Sequence, residues 1–262
     1  MVLSYRLNMK FNPYKEDEGY FRWLAESSYG DFIVLEEGSV ATSTFPPLSF
    51  STMDYYGHIA ELIKTYFGKI KCGRTIDCGC GLGRLAFEAA LVGNKVIGVD
   101  LSENLIKFCV SLQEGGKAIA IEIPRIGHTA RRVTLMPPAI YSSAPVVFKV
   151  GDIAKLEFDD SSFNFAVSSN VLDRVSEPRE ATQEMLRVLR PGGVAIVSCP
   201  LDWRAAYTPD TALWAATLLD FFPESQWTLL LHREAVDYIL RISDRFVERY
   251  LCEVIVVEKK QL

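Results

Sequence analysis

The strongest constraint on this chain's fold is the run Thr75-Ile76-Asp77-Cys78-Gly79-Cys80-Gly81-Leu82-Gly83-Arg84. It reads as a buried strand that breaks into a glycine turn and then enters a helix. Asp100 follows, seventeen residues after Gly83, at the end of a second apolar run, Val96-Ile97-Gly98-Val99. Such a strand–turn–helix–strand succession predicts an α/β domain built on a parallel sheet. A glycine turn lets the backbone pass close to a ligand, and an acid ending the next strand can hold two ribose hydroxyls. A glycine motif alone is weak evidence. Here the form is D-x-G-x-G-x-G, with Asp77 two residues before Gly79. Arg84 stands where a dinucleotide turn would take glycine or alanine, and no P-loop lysine and hydroxyl pair follows. Another nucleotide-binding Rossmann-like domain stays open at this point.

Three later segments fall in a matching order. Val150-Gly151-Asp152-Ile153 ends a third apolar run, and Phe163 to Asn170 reads as a fourth strand after the acidic turn Asp159-Asp160. Arg187-Val188-Leu189-Arg190-Pro191-Gly192-Gly193 precedes a fifth strand, Val194 to Ser198. With the glycine turn, these segments resemble class I S-adenosylmethionine-dependent methyltransferases over roughly residues 72 to 200. The resemblance implies a Rossmann-like, seven-stranded, mostly parallel sheet with helices on both faces. It implies S-adenosyl-L-methionine as cofactor, held around Asp77, Gly79, Cys80, Gly81, Arg84, Asp100, Leu101, Asp152, Ile153 and Asn170. In that family the motif acid, here Asp77, faces the methionine end of the cofactor. An acid placed like Asp152 bonds the adenine amino group, and Arg84 is a candidate for the methionine carboxylate.

Composition narrows the partners. Hydrophobic residues make up 49% of 262, enough for one large core, and a net charge of −5 argues against a dedicated nucleic-acid binder. No apolar run reaches membrane-spanning length and the N-terminus lacks a signal-peptide pattern, so a cytoplasmic protein is expected. Cys72, Cys78, Cys80, Cys109, Cys199 and Cys252 lack zinc spacing and read as small buried thiols, with no metal expected. Oligomeric state is not legible.

The chain divides into an N-terminal helical extension or lid, 1–70, and a methyltransferase-like domain, 71–262, with an insertion at about 115–144. Aromatic residues from Tyr14 to Tyr29 sit on expected helices, and Ile59, Leu62, Ile63, Tyr66 and Phe67 keep helical spacing. Helices are expected from Arg84 to Leu91 and after Ser102, a plausible N-cap. The insertion shows two β-rich stretches and reads as a hairpin or lid, locally basic at Arg125, His128, Arg131 and Arg132. After Pro200 the pattern predicts a helix around Leu213 to Leu219, a strand at Trp227–Leu231, a helix at Glu234–Ile242 and a last strand at Leu251–Glu258.

Narrower likenesses concern the acceptor. Gly81 to Glu88 resembles the motif I helix of carnosine N-methyltransferases, and Ser169 to Arg174 resembles a segment of protein-histidine N-methyltransferases. Pro200 to Trp203 with Tyr207-Thr208-Pro209 resembles the methyltransferase domain of ovothiol-synthesis enzymes, which lacks an acid at the position of Asp173. All three families methylate imidazole nitrogens. The resemblance implies a histidine-derived small molecule or peptide as acceptor, with Asn170 and Asp173 catalytic and Arg174, Trp203, Tyr207 and Tyr56 lining its site. The chemistry is consistent: a carboxylate accepting the ring N–H fixes the tautomer and frees the other nitrogen to attack. Asp173 pairing with Arg174 or capping the next helix is the structural alternative. Oxygen, sulfur and carboxyl acceptors stay open, as does a non-catalytic partner subunit. No Asn/Asp-Pro-Pro-Tyr/Phe motif of nucleic-acid methyltransferases follows the fourth strand, and none of His58, His128 and His232 sits beside a motif.

Overall fold

The computed structural model describes residues 33–35, 53–69, 73–114, 119–124, 130–135, 138–243 and 246–261. The expected helices carrying Tyr14 to Tyr29, residue Cys72, and the side chains of Arg125, His128, Arg131 and Arg132 lie outside the described residues.

Strand β1 (Ile33–Leu35) is followed by helix α1 (Met53–Phe67). Then come β2 (Arg74–Cys78), α2 (Arg84–Leu91), β3 (Lys95–Asp100) and α3 (Glu103–Gln113). The insertion supplies β4 (Ile119–Pro124) and β5 (Ala130–Leu135), and β6 (Val146–Val150), β7 (Phe163–Ser169) and α4 (Pro178–Val188) follow. The chain closes with β8 (Leu189–Cys199), β9 (Trp227–Ser243) and β10 (Phe246–Lys259). The main sheet has the order β6-β3-β2-β7-β8-β10-β9, parallel except for β10. This is the expected seven-stranded Rossmann-like fold. From β2 the chain winds first toward β6 and then back toward β9, so the topological switch lies between β2 and β7. Ligands of open α/β sheets bind at the carboxyl ends of the strands at that switch.

Local signals set several boundaries. Ser102 caps α3 by accepting from the Leu105 N–H at 3.3 Å, as its position before the helix suggests. Pro178 sits at the first turn of α4, where its missing N–H costs nothing. Helices α1, α2 and α3 cover one face of the sheet. There Phe67 stacks on Phe165 at 4.4 Å and Phe87 on Tyr141 at 4.3 Å. On the other face α4 and the segment 215–222 bury Met185, Leu218, Phe221 and Trp227 against Ile76, Val197 and Ile255. The five described cysteines are all buried free thiols. No helix among the described residues is long and apolar enough to cross a membrane.

Three expectations are corrected. The helix expected at Glu234–Ile242 does not form: Trp227 to Ser243 is one continuous strand. Val236, Tyr238 and Leu240 alternate onto one face opposite Cys252, Tyr250 and Glu248 of β10, and this long-range pairing overrides local helical spacing. The helix expected around Leu213–Leu219 is instead two 3-10 turns, Thr211–Leu213 and Leu218–Phe221. Asp210 and Thr217 each cap a short turn through the side-chain oxygen, and Pro209 and Pro223 flank the segment. The N-terminal extension is not purely helical. Its β1 pairs with β5 and, with the expected β4–β5 hairpin, makes a separate three-stranded sheet.

The β9–β10 hairpin shapes the sheet's carboxyl edge. Strand β8 ends at Cys199 opposite Glu253, so residues 246–252 pair with β9 alone. They carry the hairpin roughly 20 Å past the end of β8 at about 3.3 Å per residue.

A cofactor turn and a tyrosine-bound asparagine at the sheet's carboxyl edge

The glycine turn is built from backbone shapes that side chains resist. Gly79, Gly81 and Gly83 have φ of 74°, 53° and 81°, all left-handed. The Gly79 and Cys80 N–H groups both donate to Val99 O, at 2.8 and 2.9 Å, which pins the turn to the end of β3. At Gly79 a Cβ would lie 2.4 Å from Val171 Cγ2, so the segment after β7 closes directly on the turn. Cys80 turns its thiol inward toward Cys109, whose Sγ donates to Gly81 O at 3.3 Å. Only the Cys80 backbone is left to face a ligand.

Two acids flank this turn. Asp77 is buried; one carboxylate oxygen is held by the Ala86 N–H while Oδ2 has no hydrogen-bond partner. Burial, followed by repulsion from Asp100, pushes the Asp77 carboxyl up to about 8. Asp100 accepts from Gly81 N–H and Ser102 N–H, each at 2.9 Å, which fixes the plane of its carboxylate. Burial raises it to about 6 against those bonds. The Gly151 N–H donates to Asp100 O at 2.9 Å and so holds the next loop beside this acid. There Leu101 is 55% exposed and Asp152 is exposed, with Oδ1 bound to the Ala154 N–H at 2.9 Å. The Ile153 side chain lies in the core, leaving its backbone for any ligand.

These residues fit S-adenosylmethionine. An orphaned buried carboxylate oxygen at Asp77 is what an ammonium group needs. The pre-oriented Asp100 suits a ribose diol, Leu101 offers an apolar face for adenine, and Asp152 offers an acceptor for its amino group. Arg84 is buried, not on the surface as the alternative had it, and its Nε donates to Glu88 at 3.0 Å.

Across the switch point, Asn170 ends β7 in a left-handed conformation, φ 58°, which a non-glycine residue adopts at a cost of about 1 kcal/mol or more. Its N–H donates to Ser198 O at 2.8 Å. Its Oδ1 accepts from Tyr55 OH at 2.9 Å and from Cys252 Sγ at 3.4 Å. Tyr55 also contacts Ser169 Oγ at 2.7 Å and Ser198 Oγ at 2.5 Å. Its ring sits 5.2 Å from Tyr56 and 4.8 Å from Tyr238, and Tyr238 is 6.2 Å from Tyr250. Tyr55 thus touches Asn170 and starts an aromatic cluster with Tyr56, Tyr238 and, through Tyr238, Tyr250; Tyr56 and Tyr250 are half-buried. Tyr56 was an expected lining residue; Tyr55, which touches Asn170, was not. The signal was the Tyr55-Tyr56 pair opening a helix that runs directly into β2.

Asp173 lies in the interior, and its Oδ1 has no hydrogen-bond partner among the described residues. It is 0% exposed in a 3-10 turn; Oδ2 accepts from the Asp202 N–H at 2.9 Å and lies 3.4 Å from Arg174 Nη1. Burial raises its carboxyl despite Arg174. The pairing with Arg174 is present, through Oδ2. Arg174 also donates to Asp202 O at 2.7 Å and lies over the Tyr207 ring at 5.1 Å. Trp203 is half-buried; it packs on Phe221, and its indole N–H donates to Ala215 O at 2.8 Å. Asp173→Ala should therefore lower stability by about 3 kcal/mol, the usual cost of breaking a buried pair. Chemical denaturation reads this; an unchanged midpoint with lost turnover would instead restore a catalytic role.

Residues 76–197 match the sequence family described as a methyltransferase domain. A demethylmenaquinone methyltransferase of Paenarthrobacter aurescens is 43% identical over 67 residues, 23% of this chain and 26% of that protein. A ubiquinone/menaquinone biosynthesis C-methyltransferase of Bdellovibrio bacteriovorus is 26% identical over 189 residues, 71% of this chain and 68% of that one. The chain spans less than a third of the length of the first curated relatives it matches. Among solved structures, an S-adenosylmethionine-dependent methyltransferase of Methanosarcina mazei superposes with a TM-score of 0.53 at 19% identity, over 77% of this chain and 98% of that one. That likeness shows the fold, and it agrees with the methyltransferase-domain match over residues 76–197 and with the geometry of the glycine turn.

Proposed function

We propose that this protein is a methyltransferase whose acceptor is a planar aromatic or heteroaromatic small molecule. The observation that carries this reading is the tyrosine cluster Tyr55, Tyr56, Tyr238 and Tyr250, joined through Tyr55 to Asn170 and so to the segment that closes on the glycine turn. Aromatic side chains favour flat rings by stacked and edge-on contact. The imidazole of a histidine-derived molecule or peptide belongs to this class. For such a ring the unpartnered Oδ1 of buried Asp173 is the acceptor in question for its N–H. A quinol ring also belongs to it, and two relatives carry names of quinone-ring methyltransferases.

S-Adenosylmethionine brings an electrophilic methyl group on a sulfonium centre. The chain's part is to bind and to orient. Asp77 and the turn's backbone would hold the methionine end, and Asp100, Leu101 and Asp152 the nucleoside end. Asn170, locked by Tyr55 and the Ser198 carbonyl, is the polar group at the junction of both sites. Placing an acceptor lone pair or ring carbon in line with the methyl group converts a collision into a positioned displacement.

A labelled-methyl assay over imidazoles, phenols and quinols, thiols and aliphatic carboxylates tests the reading. Planar ring acceptors should be methylated, and Asp100→Ala should cut cofactor affinity at least about tenfold, each charge-assisted bond being worth roughly 1.5–3 kcal/mol. Transfer confined to aliphatic carboxylates or thiols would remove the ring-acceptor reading. Failure of the parent protein to bind S-adenosylhomocysteine would remove the cofactor assignment itself.

A further inference from the structure

Resting on that reading, we infer that Tyr55 is a positioning residue that makes Asn170 a hydrogen-bond donor only, so that the site selects ring acceptors presenting a lone pair. A hydroxyl has one proton and two lone pairs, and a carboxamide oxygen has two lone pairs. If the Tyr55 proton goes to Asn170 Oδ1, as the 2.9 Å contact provides, Ser169 and Ser198 both donate to Tyr55, the 2.5 Å contact from Ser198 prevailing over its 3.3 Å contact to Ser169 Oγ. The Cys252 thiol takes the second lone pair of Oδ1 at 3.4 Å. Every partner on that side is then satisfied, and Oδ1 is saturated. Asn170 Nδ2 has no hydrogen-bond partner among the described residues, and it is not among their buried unsatisfied atoms. The left-handed backbone at Asn170, with its N–H tied to Ser198 O, removes the freedom to compensate by moving the chain.

Tyr55 suits this task because it is 1% exposed and packed against Tyr56 and Tyr238. Burial raises its hydroxyl well above the usual phenol range, so the proton stays in place. The hydroxyl therefore acts as a fixed donor. A phenylalanine there would keep the packing and release the amide, which would then offer either end to a ligand.

The test uses two neutral flat probes on the full chain saturated with S-adenosylhomocysteine. Acetophenone offers only a carbonyl lone pair, and indole only an N–H donor. Binding is followed by nuclear magnetic resonance at the Asn170 side-chain amide, assigned with Asn170→Asp. In the parent protein acetophenone should bind about fivefold more tightly than indole and shift the Asn170 amide protons, the size of one neutral hydrogen bond. Tyr55→Phe should bring the two affinities within about twofold while leaving S-adenosylhomocysteine affinity within the same margin. Asn170→Asp, which can only accept, should reverse the preference and serves if Tyr55→Phe folds poorly. Strong Overhauser contacts from the Asn170 amide protons to the Tyr55 ring and Cys252 would put Nδ2 inward and overturn the inference. So would equal binding of both probes to the parent, or no amide shift with either. None of these results touches the methyltransferase reading, which stands or falls on S-adenosylhomocysteine binding.

Discussion

Gly79→Ala is expected to abolish useful cofactor binding, with affinity for S-adenosylhomocysteine falling at least about 100-fold, close to 3 kcal/mol. Two costs coincide. Holding an L-residue at φ 74° costs roughly 1–2 kcal/mol. The new Cβ would also stand 2.4 Å from Val171 Cγ2, so either the turn or the segment after β7 must move. Both would carry ligand, and Val171 adjoins Asn170, so relaxation anywhere spoils the site. Gly93→Ala is the control: φ there is 94° but nothing lies within 4 Å of the added atom. It should lose about 1–2 kcal/mol of stability and leave binding unchanged. Combining Gly79→Ala with Val171→Ala should restore part of the affinity, because the clash is relieved and the backbone strain is not. Isothermal calorimetry on the four proteins decides the matter. Equal loss in the Gly79 and Gly93 variants would mean that only backbone strain counts.

What was legible in the sequence was what local chemistry settles. The turn from Asp77 to Arg84 needs glycines at particular backbone angles, so its residues reveal it. Ser102 announces a helix start because a hydroxyl caps a free N–H, and Asp100 is placed by the strand that ends there. Features decided by distant partners were not legible. Tyr55 meets Ser169 across 114 residues and Ser198 across 143, and nothing near Tyr55 distinguishes its hydroxyl from that of Tyr56. Residues 234–242 satisfy helical and strand spacing equally, and only β10 decides between them. The burial of Asp173 was hidden for the same reason. Its burial depends on residues 199–202 folding back over it, where the Asp202 N–H takes the carboxylate.

The largest pH effect is expected at Asp77, whose carboxyl is raised to about 8 by burial and by Asp100. In the unfolded chain the same group ionises near the ordinary 3.9. Between those values the unfolded state releases a proton that the folded state keeps, so raising the pH favours unfolding. The contribution of Asp77 to stability is thus complete below about pH 4 and is lost as the pH climbs through about 8. Asp100, raised to about 6, adds a shallower fall in the same direction. Asp77→Asn removes the larger slope. Without cofactor, that variant should melt several degrees above the parent at pH 8 and near it at pH 5. The order reverses with ligand. An ammonium received by the unpartnered Oδ2 favours the carboxylate, so S-adenosylhomocysteine binding to the parent at pH 7 should release close to one proton. Calorimetry in buffers of different ionisation enthalpy counts that proton, and Asp77→Asn should release none while binding at least about tenfold more weakly. A variant that binds as tightly as the parent, with the same proton count, would detach Asp77 from the methionine end. Its carboxylate would then serve the helix start at Ala86 alone, through the oxygen that accepts that N–H.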